Sequence, residues 1–255
     1  MKKRLVIPII SVLAAIVHAQ NVGYLTPSRT YAGYGLNDYS MNQATKDVLD
    51  QGYTLVSVNE FSPSSLADID IAFVGLGLAG NDGALSSDET ASLYHFVLGG
   101  GSLILFGDNM FFDAFQNGVA SLFGVRYNSE YYEGGFYFNF NASHPIISGP
   151  YGDVTFYSYD TLKGQILDLG PYAVSLINDE HGVSAAAIID NNVLCEGSGR
   201  AIFLTDIGGF TDPSIPVPEG HRNVALWNNI FAYSVPEPMT FILLGLGSLF
   251  VRFRQ

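Results

Sequence analysis

Cysteine is nearly absent. Cys195 is the only one in 255 residues, so no internal disulfide can form and stability must come from the core. It lies in L-C-E-G-S-G-R, which reads as a turn before a strand, and the thiol is expected to be structural or incidental. Basic residues are scarce as well, 11 against 24 acidic ones, for a formal net charge of −13. Such a surface repels phosphate backbones and excludes nucleic acid as an expected partner, although it could attract divalent cations. No two histidines show a spacing such as H-x-x-x-H, which argues against zinc. His95 is expected on a helix face, His181 in a polar turn, and His144 in a strand-entry turn before Pro145. There is no G-x-S-x-G, so an elbow-type serine hydrolase finds no support.

What the chain does have is a message at each end. Residues 1–19 carry a basic start (Lys2, Lys3, Arg4), an apolar stretch from Leu5 to Val17, and small residues at Val17 and Ala19 before Gln20. That is the pattern of a secretory signal peptide, and no cysteine follows it to carry a lipid. Residues 235–255 read V-P-E-P-M-T-F-I-L-L-G-L-G-S-L-F-V-R-F-R-Q. Pro236 and Pro238 remove backbone donors and stop a helix running back into the body. An apolar run from Met239 to Val251 follows, then Arg252 and Arg254, which belong on the cytoplasmic side of a membrane. The run is shorter than the ~20 residues a bilayer core asks for, and snorkelling of the arginines narrows the gap.

This order resembles the PEP-CTERM sorting signal of Gram-negative bacteria. The resemblance implies that an integral-membrane exosortase recognises Pro236, Glu237 and Pro238 and removes the tail during surface delivery. It also implies the secretion machinery as a partner, an inner-membrane-anchored precursor held by the C-terminal segment, and a cell-surface or extracellular destination. Without the two ends the body, residues 20–234, keeps 6 basic and 23 acidic residues, a balance of −17.

Within the body, strands are expected at Asn21–Thr26, Thr54–Val58, Ile71–Gly75 and Ser102–Phe106. Helices are expected from Ser40 or Asn42 to Asp50, from Ser87 to the glycines at 99–101, and from Phe112 to Phe123. Ser86, Asp88 and Glu89 supply a cap and early acids for the second of these. Apolar strands alternating with helices argue for a mostly parallel sheet covered on both faces. Residues 125–160 change character. The aromatics of Tyr127–Phe140 flank Gly134-Gly135 and read as a β-hairpin, with another strand at Val154–Tyr159. Strands return at Ala173–Ile177, Ala185–Ile189 and Ala201–Thr205, with a turn at Asn191-Asn192, and a helix at Asn223–Tyr233 closes the body.

The motifs D-I-D-I-A-F-V-G, L-S-S-D-E, F-V-L-G-G-G-S-L-I-L-F-G-D, S-H-P-I-I-S-G, G-R-A-I-F-L-T-D and R-N-V-A-L-W-N-N-I are together similar to the class I glutamine-amidotransferase-like superfamily, in its branches without amidotransferase activity. The resemblance spans Val22 to Tyr233. It implies a flavodoxin-like three-layer α/β sandwich, here with a β-hairpin-rich insertion and flanked by the two hydrophobic ends.

In true amidotransferases a cysteine occupies a tight strand-to-helix turn. The matching turn here holds Gly107, Asp108 and Asn109, with neither cysteine nor serine. Gly75 to Gly80 fits G-x-G-x-x-G literally, but no helix opens at those glycines, so a dinucleotide site is not expected and no cofactor is assigned.

Asp108 and Asp206 each follow a strand and should face one edge of the sheet, with Asp113, Asp212, Glu219, His221 and Asn223 nearby in sequence. They form a candidate polar site of Asp108, Asn109, Asp206, His221 and Asn223, able in principle to hold Ca²⁺ or to do acid/base work. The simpler reading has the acids capping helices and tying loops, and no metal is assigned. The aromatics of Tyr127–Tyr159 could stack on sugar rings or pair across strands. Three functions therefore stand: a non-catalytic exported domain that binds polysaccharide, a hydrolase using sheet-edge carboxylates, and a purely structural or partner-binding module.

Overall fold

The computed structural model describes residues 20–78, 83–108, 110–133, 136–137, 139–158, 162–179, 181–211 and 223–235. The chain runs β1 (Asn21–Leu25), α1 (Asn42–Asp50), β2 (Thr54–Val58), β3 (Ile71–Val74), α2 (Ser87–Leu98), β4 (Ser102–Gly107) and α3 (Asp113–Ala120). It continues through β5 (Arg126–Glu133), β6 (Phe136–Tyr137), β7 (Asn139–Phe140), β8 (Ser148–Gly149), β9 (Gly152–Asp153), β10 (Tyr157–Ser158) and β11 (Leu162–Asp168). Then come β12 (Val174–Asn178), β13 (Ser184–Ile189), β14 (Ala201–Thr205) and α4 (Val224–Ser234).

One sheet organises these pieces, in the order β2-β1-β3-β4-β14-β13-β11-β5, with β12 paired to β13 and β7 to β12. The first five strands are parallel to one another, while β13, β11 and β5 are antiparallel. The parallel strands are apolar on both faces because both are covered. On β3 and β4, Ile71, Phe73, Ile104 and Phe106 enter one core, shared with Ala44 and Val48 of α1 and Leu226, Trp227 and Ile230 of α4. Their neighbours Ala72, Val74, Leu103 and Leu105 enter the other, shared with Leu93 and Val97 of α2 and Phe115 and Val119 of α3. This period of two, with helices on each side, gives the flavodoxin-like three-layer sandwich.

Local signals explain the helix ends. Ser86 Oγ accepts from the Glu89 amide at 3.2 Å and Glu89 Oε2 accepts from the Ser86 amide at 3.0 Å, a reciprocal capping box. Glu89 also takes the Arg29 guanidinium at 3.1 and 3.2 Å, tying α2 to the loop after β1. At α1 neither expected cap serves: the N-cap is Met41, with no side-chain bond, and Asn42 is already helical. Asp38 caps the preceding one-turn 3₁₀ helix at Tyr39–Met41 instead.

The aromatic stretch corrects a second expectation. The first strand of Tyr127–Phe140 does not pair with its own continuation among the described residues. β5 pairs with β11, β6 with β10 and β7 with β12, all antiparallel. Strands β5 and β7 are thus stitched into the main sheet by later strands, while β6 and β10 form a small two-stranded sheet of their own.

Among the described residues no helix is long and apolar enough to cross a membrane. The segments expected to meet one, 1–19 and 236–255, lie outside them.

Candidate functional site

Parallel strands present their carboxyl ends on one edge, where ligands of open α/β sheets usually bind. Asp108 and Asp206 meet there. Thr205 pairs with Gly107 in register, and the Asp206 amide donates to the Gly107 carbonyl at 2.7 Å, so the two acids leave adjacent strands side by side. Asp206 sits at φ 60°, ψ 95°, a costly backbone for an L-residue, and its Oδ1 accepts from the Gly208 amide at 2.7 Å. That bond starts the 3₁₀ turn Ile207–Phe210. Asn223 joins from across the chain, donating from Nδ2 to the Gly209 carbonyl at 2.9 Å. Asp108 and Asp206 are therefore neighbours, and Asn223 bonds to the turn that Asp206 starts. Asn109 and His221 lie outside the described residues, as do Asp212 and Glu219.

The edge is covered. Asp108 is 6% exposed and Asp206 1%. Gln116 of α3, fully buried, accepts from the Asp108 amide through Oε1, and its Nε2 has no protein partner. The Tyr157 hydroxyl, also buried, donates to the Thr205 carbonyl. Tyr127 O–H lies 3.2 Å from both the Leu105 and Leu204 carbonyls, and burial holds its proton well above the ordinary tyrosine range. Asp113 accepts from Asn117 Nδ2 within α3. Asn117 in turn takes the Tyr127 amide at 2.8 Å and donates to its carbonyl at 3.1 Å, finishing the edge of β5 as a neighbouring strand would.

These contacts bear on the aromatic stretch and on Asp206. Tyr127 and Tyr157 are core residues, so neither can stack on a sugar; the side chains of residues 129–133 and 136–138 are not described. Asp206 ties a loop. Among the described residues no three His, Cys, Asp or Glu side chains gather as metal ligands. Of the G-x-G-x-x-G stretch, Ala79 and Gly80 lie outside the described residues, and the next described α-helix, α2, begins at Ser87. A Cβ on Gly77 would stand 2.2 Å from the Phe115 ring, so that glycine serves close packing. Cys195 is exposed and free.

At the opposite edge lies a cluster that the sequence does not reveal. His144 Nε2 stands 3.5 Å from Asp190 Oδ2, at the outer limit of a hydrogen bond, and its Nδ1 accepts from the Ile146 amide at 3.1 Å. The Tyr233 hydroxyl donates to Asp190 Oδ1 at 2.8 Å. The Arg200 guanidinium lies 4.4 Å from the Tyr233 ring centre and donates to the Val235 carbonyl at 2.9 Å. On His144, Nδ1 is engaged by the Ile146 amide, while Nε2 is buried and faces Asp190 without a hydrogen bond of good geometry. The group fastens the end of α4 at Tyr233 and Val235, the last described residue.

His144 and, secondarily, the Tyr233 hydroxyl and Arg200 hold the Asp190 carboxyl below its usual value against the opposing pull of burial. A depressed carboxylate contributes stability above its unfolded pKa of about 3.9 and loses it as pH falls through the folded value. Asp190→Asn should therefore cost about 1 kcal/mol at pH 7, a figure reduced for partial exposure. The gap from wild type should close below about pH 4 in urea titrations. A gap that stayed constant from pH 7 to 3 would remove this role.

No family model and no curated protein matches the chain. Solved structures do. The mmIFT52 N-terminal domain superposes with a TM-score of 0.63 at 13% identity, covering 84% of this chain and 96% of that one. A cytoplasmic protein from Salmonella typhimurium gives 0.57 at 12%, covering 86% and 99%. A ThuA-like protein from Bacteroides uniformis gives 0.52 at 12%, covering 83% and 89%. At such identities the likeness concerns the fold alone, an α/β fold that the body shares with these proteins, a ThuA-like protein among them.

Proposed function

We propose that this chain is an exported, exosortase-processed protein of the cell surface or extracellular matrix of a Gram-negative bacterium, with a non-catalytic α/β body that binds polysaccharide. One observation carries the non-catalytic reading. At the edge where this scaffold would hold a nucleophile, the turn contains Gly107 and Asp108, and both candidate acids are buried. A hydrolase needs its carboxylates within reach of substrate and water. The address rests on the signal-peptide pattern at residues 1–19 and on Pro236-Glu237-Pro238, which follow directly on the last described residue of the body, Val235.

Two measurements test the proposal. Expressed in a Gram-negative host that has an exosortase, the wild-type chain should lose the mass of its C-terminal tail and reach the surface. The Pro236→Ala/Pro238→Ala variant should keep the tail and stay in the inner membrane; equal processing of both would refute the sorting role. The Gln20–Ser234 body should be retained on the host's exopolysaccharide without degrading it, and retention should survive Asp108→Asn and Asp206→Asn. Glycan turnover that vanishes in either variant would establish the hydrolase instead.

A further inference from the structure

The main sheet ends in β5 on one side and β2 on the other, and the two ends are finished differently. An open edge invites another strand unless charge, proline, a bulge or a cover turns it away. At β5 the Asn117 side chain occupies the Tyr127 main-chain groups, and the strand carries Arg126, Glu130 and Glu133. Its pairing with β11 is also irregular. β2 has none of these devices. It reads T-L-V-S-V, without charge or proline, and pairs with β1 in an unbroken register.

Main-chain geometry says what fits there. The Thr54 amide donates to the Gln20 carbonyl and the Thr26 amide to that of Val58, each at 2.9 Å. Thr54, Val56 and Val58 thus face β1, which leaves the N–H and C=O groups of Leu55 and Ser57 on the open side. Among the described residues no other main-chain bond meets them. Set antiparallel across a twofold axis at Val56, Leu55 of one copy lies opposite Ser57 of the other, as a pair that exchanges both its bonds. The axis repeats that pair, and Val56 stands opposite itself. The edge is its own complement, as a twofold contact requires.

Both faces of this edge are unfinished. Between β2 and β3, residues 59–70 form no helix, and on that face Thr54 is exposed and Val56 half-buried. On the other face lies α1. Its Asp47 lines a recess with Val224 and Trp227 of α4, and Gln51 donates to Asn228 at 2.8 Å. Leu49, about 200° round the helix from both, is 48% exposed and sits beside the exposed Lys46–Asp50 ion pair. Since α4 rests on β3 and β4 through Trp227, this side of α1 faces the β2 edge.

We infer that β2 pairs with β2 of a second copy of this chain, antiparallel about Val56, and joins two main sheets into one. Strands about 4.8 Å apart set α1 and its mate about 10 Å apart, an ordinary packing distance for helices. The mates run antiparallel, so Lys46 of one copy turns to Asp50 of the other around Leu49. Charge favours this contact over others on the body. With a balance of −17, two copies can meet only where the surface is neutral, and here an uncharged strand adjoins a balanced pair. The pairing holds whether or not the body binds polysaccharide.

The test uses the full chain in density-matched detergent micelles, at roughly 100 μM because contacts of this size bind weakly. Sedimentation equilibrium should give the mass of two chains. Leu49→Asp, on an exposed side chain, gathers carboxylates at the seam. It should weaken association about tenfold and leave the near-ultraviolet circular dichroism unchanged.

Single thiols check the register. In Cys195→Ser/Val56→Cys the two Cα atoms should lie about 4.5 Å apart, and mild oxidation should yield a covalent dimer. In Cys195→Ser/Ser57→Cys they should lie roughly 7–8 Å apart, beyond the reach of a disulfide, and the chain should stay single on a non-reducing gel.

A wild-type chain that sediments alone and does not cross-link through position 56 would overturn the inference and leave the edge to a strand of another protein. A dimer indifferent to Leu49→Asp, or cross-linked as readily through position 57 as through 56, would overturn it too, by placing the contact elsewhere on the chain.

Discussion

Alanine in place of Trp227 is expected to destabilise the body by about 3–5 kcal/mol and to lower its melting temperature by roughly 10 °C. Trp227 is the chain's one tryptophan and is 2% exposed. It sits where α4 crosses the parallel half of the sheet. Its ring contacts Phe73 at 5.9 Å, Phe106 at 6.4 Å, Phe210 at 5.2 Å and Phe231 at 4.9 Å. Its indole N–H donates to the Ala44 carbonyl at 2.9 Å, which also ties α4 to α1.

Truncation leaves a cavity ringed by aromatics already fixed by strands β3 and β4, so it cannot collapse cheaply. It also removes the hydrogen bond that ties α4 to the Ala44 carbonyl of α1. Trp227→Phe should lose less, since it restores most ring contacts and gives up only the hydrogen bond to Ala44. Thermal unfolding followed by near-ultraviolet circular dichroism decides the matter. A loss below about 1 kcal/mol for the alanine variant would mean that α4 is not anchored through this side chain.

How far the sequence announces this structure depends on the range of the interaction. The α2 helix is legible because Ser86 and Glu89 sit three residues apart and cap each other locally. The parallel strands are legible because I-A-F-V and S-L-I-L-F are apolar on both faces. From their ends it follows that Asp108 and Asp206 share an edge, and the structure brings them onto neighbouring strands.

What escapes local reading is pairing across long separations. The aromatic stretch looked like a hairpin because Gly134-Gly135 is a good turn. Which strand β5 joins is decided by Ile166 and Tyr127 entering the same core, and no local pattern records that. Nor does spacing reveal that Asp190 meets both His144 and Tyr233. Burial of the two acids escaped for the same reason: the cover is made by Gln116, Tyr157 and β11.

That cover can be probed at Gly164 of β11. It lies at an irregularity of the β11–β5 pairing, between Lys163 and Gln165. A Cβ there would stand 2.3 Å from the Asp108 carbonyl oxygen and 3.3 Å from that of Asn128. Only glycine permits so close an approach of two backbones. The Asp108 backbone has little room to yield, because Gln116 holds its amide and Asp206 holds the preceding carbonyl.

Gly164→Ala should therefore push β11 away from the strand end, costing about 1–3 kcal/mol and lowering the melting temperature by roughly 5 °C or more. Hydrogen exchange at Asp108 and Asp206 should quicken more than exchange in β1 or β3, because the strain is applied at this edge and relieved by local opening. Those two rates separate a prised cover from general weakening of the body. If the variant melts like wild type and the Asp108 amide exchanges no faster, β11 does not seal the acids, and a solvent-reachable pair of carboxylates returns as the functional centre.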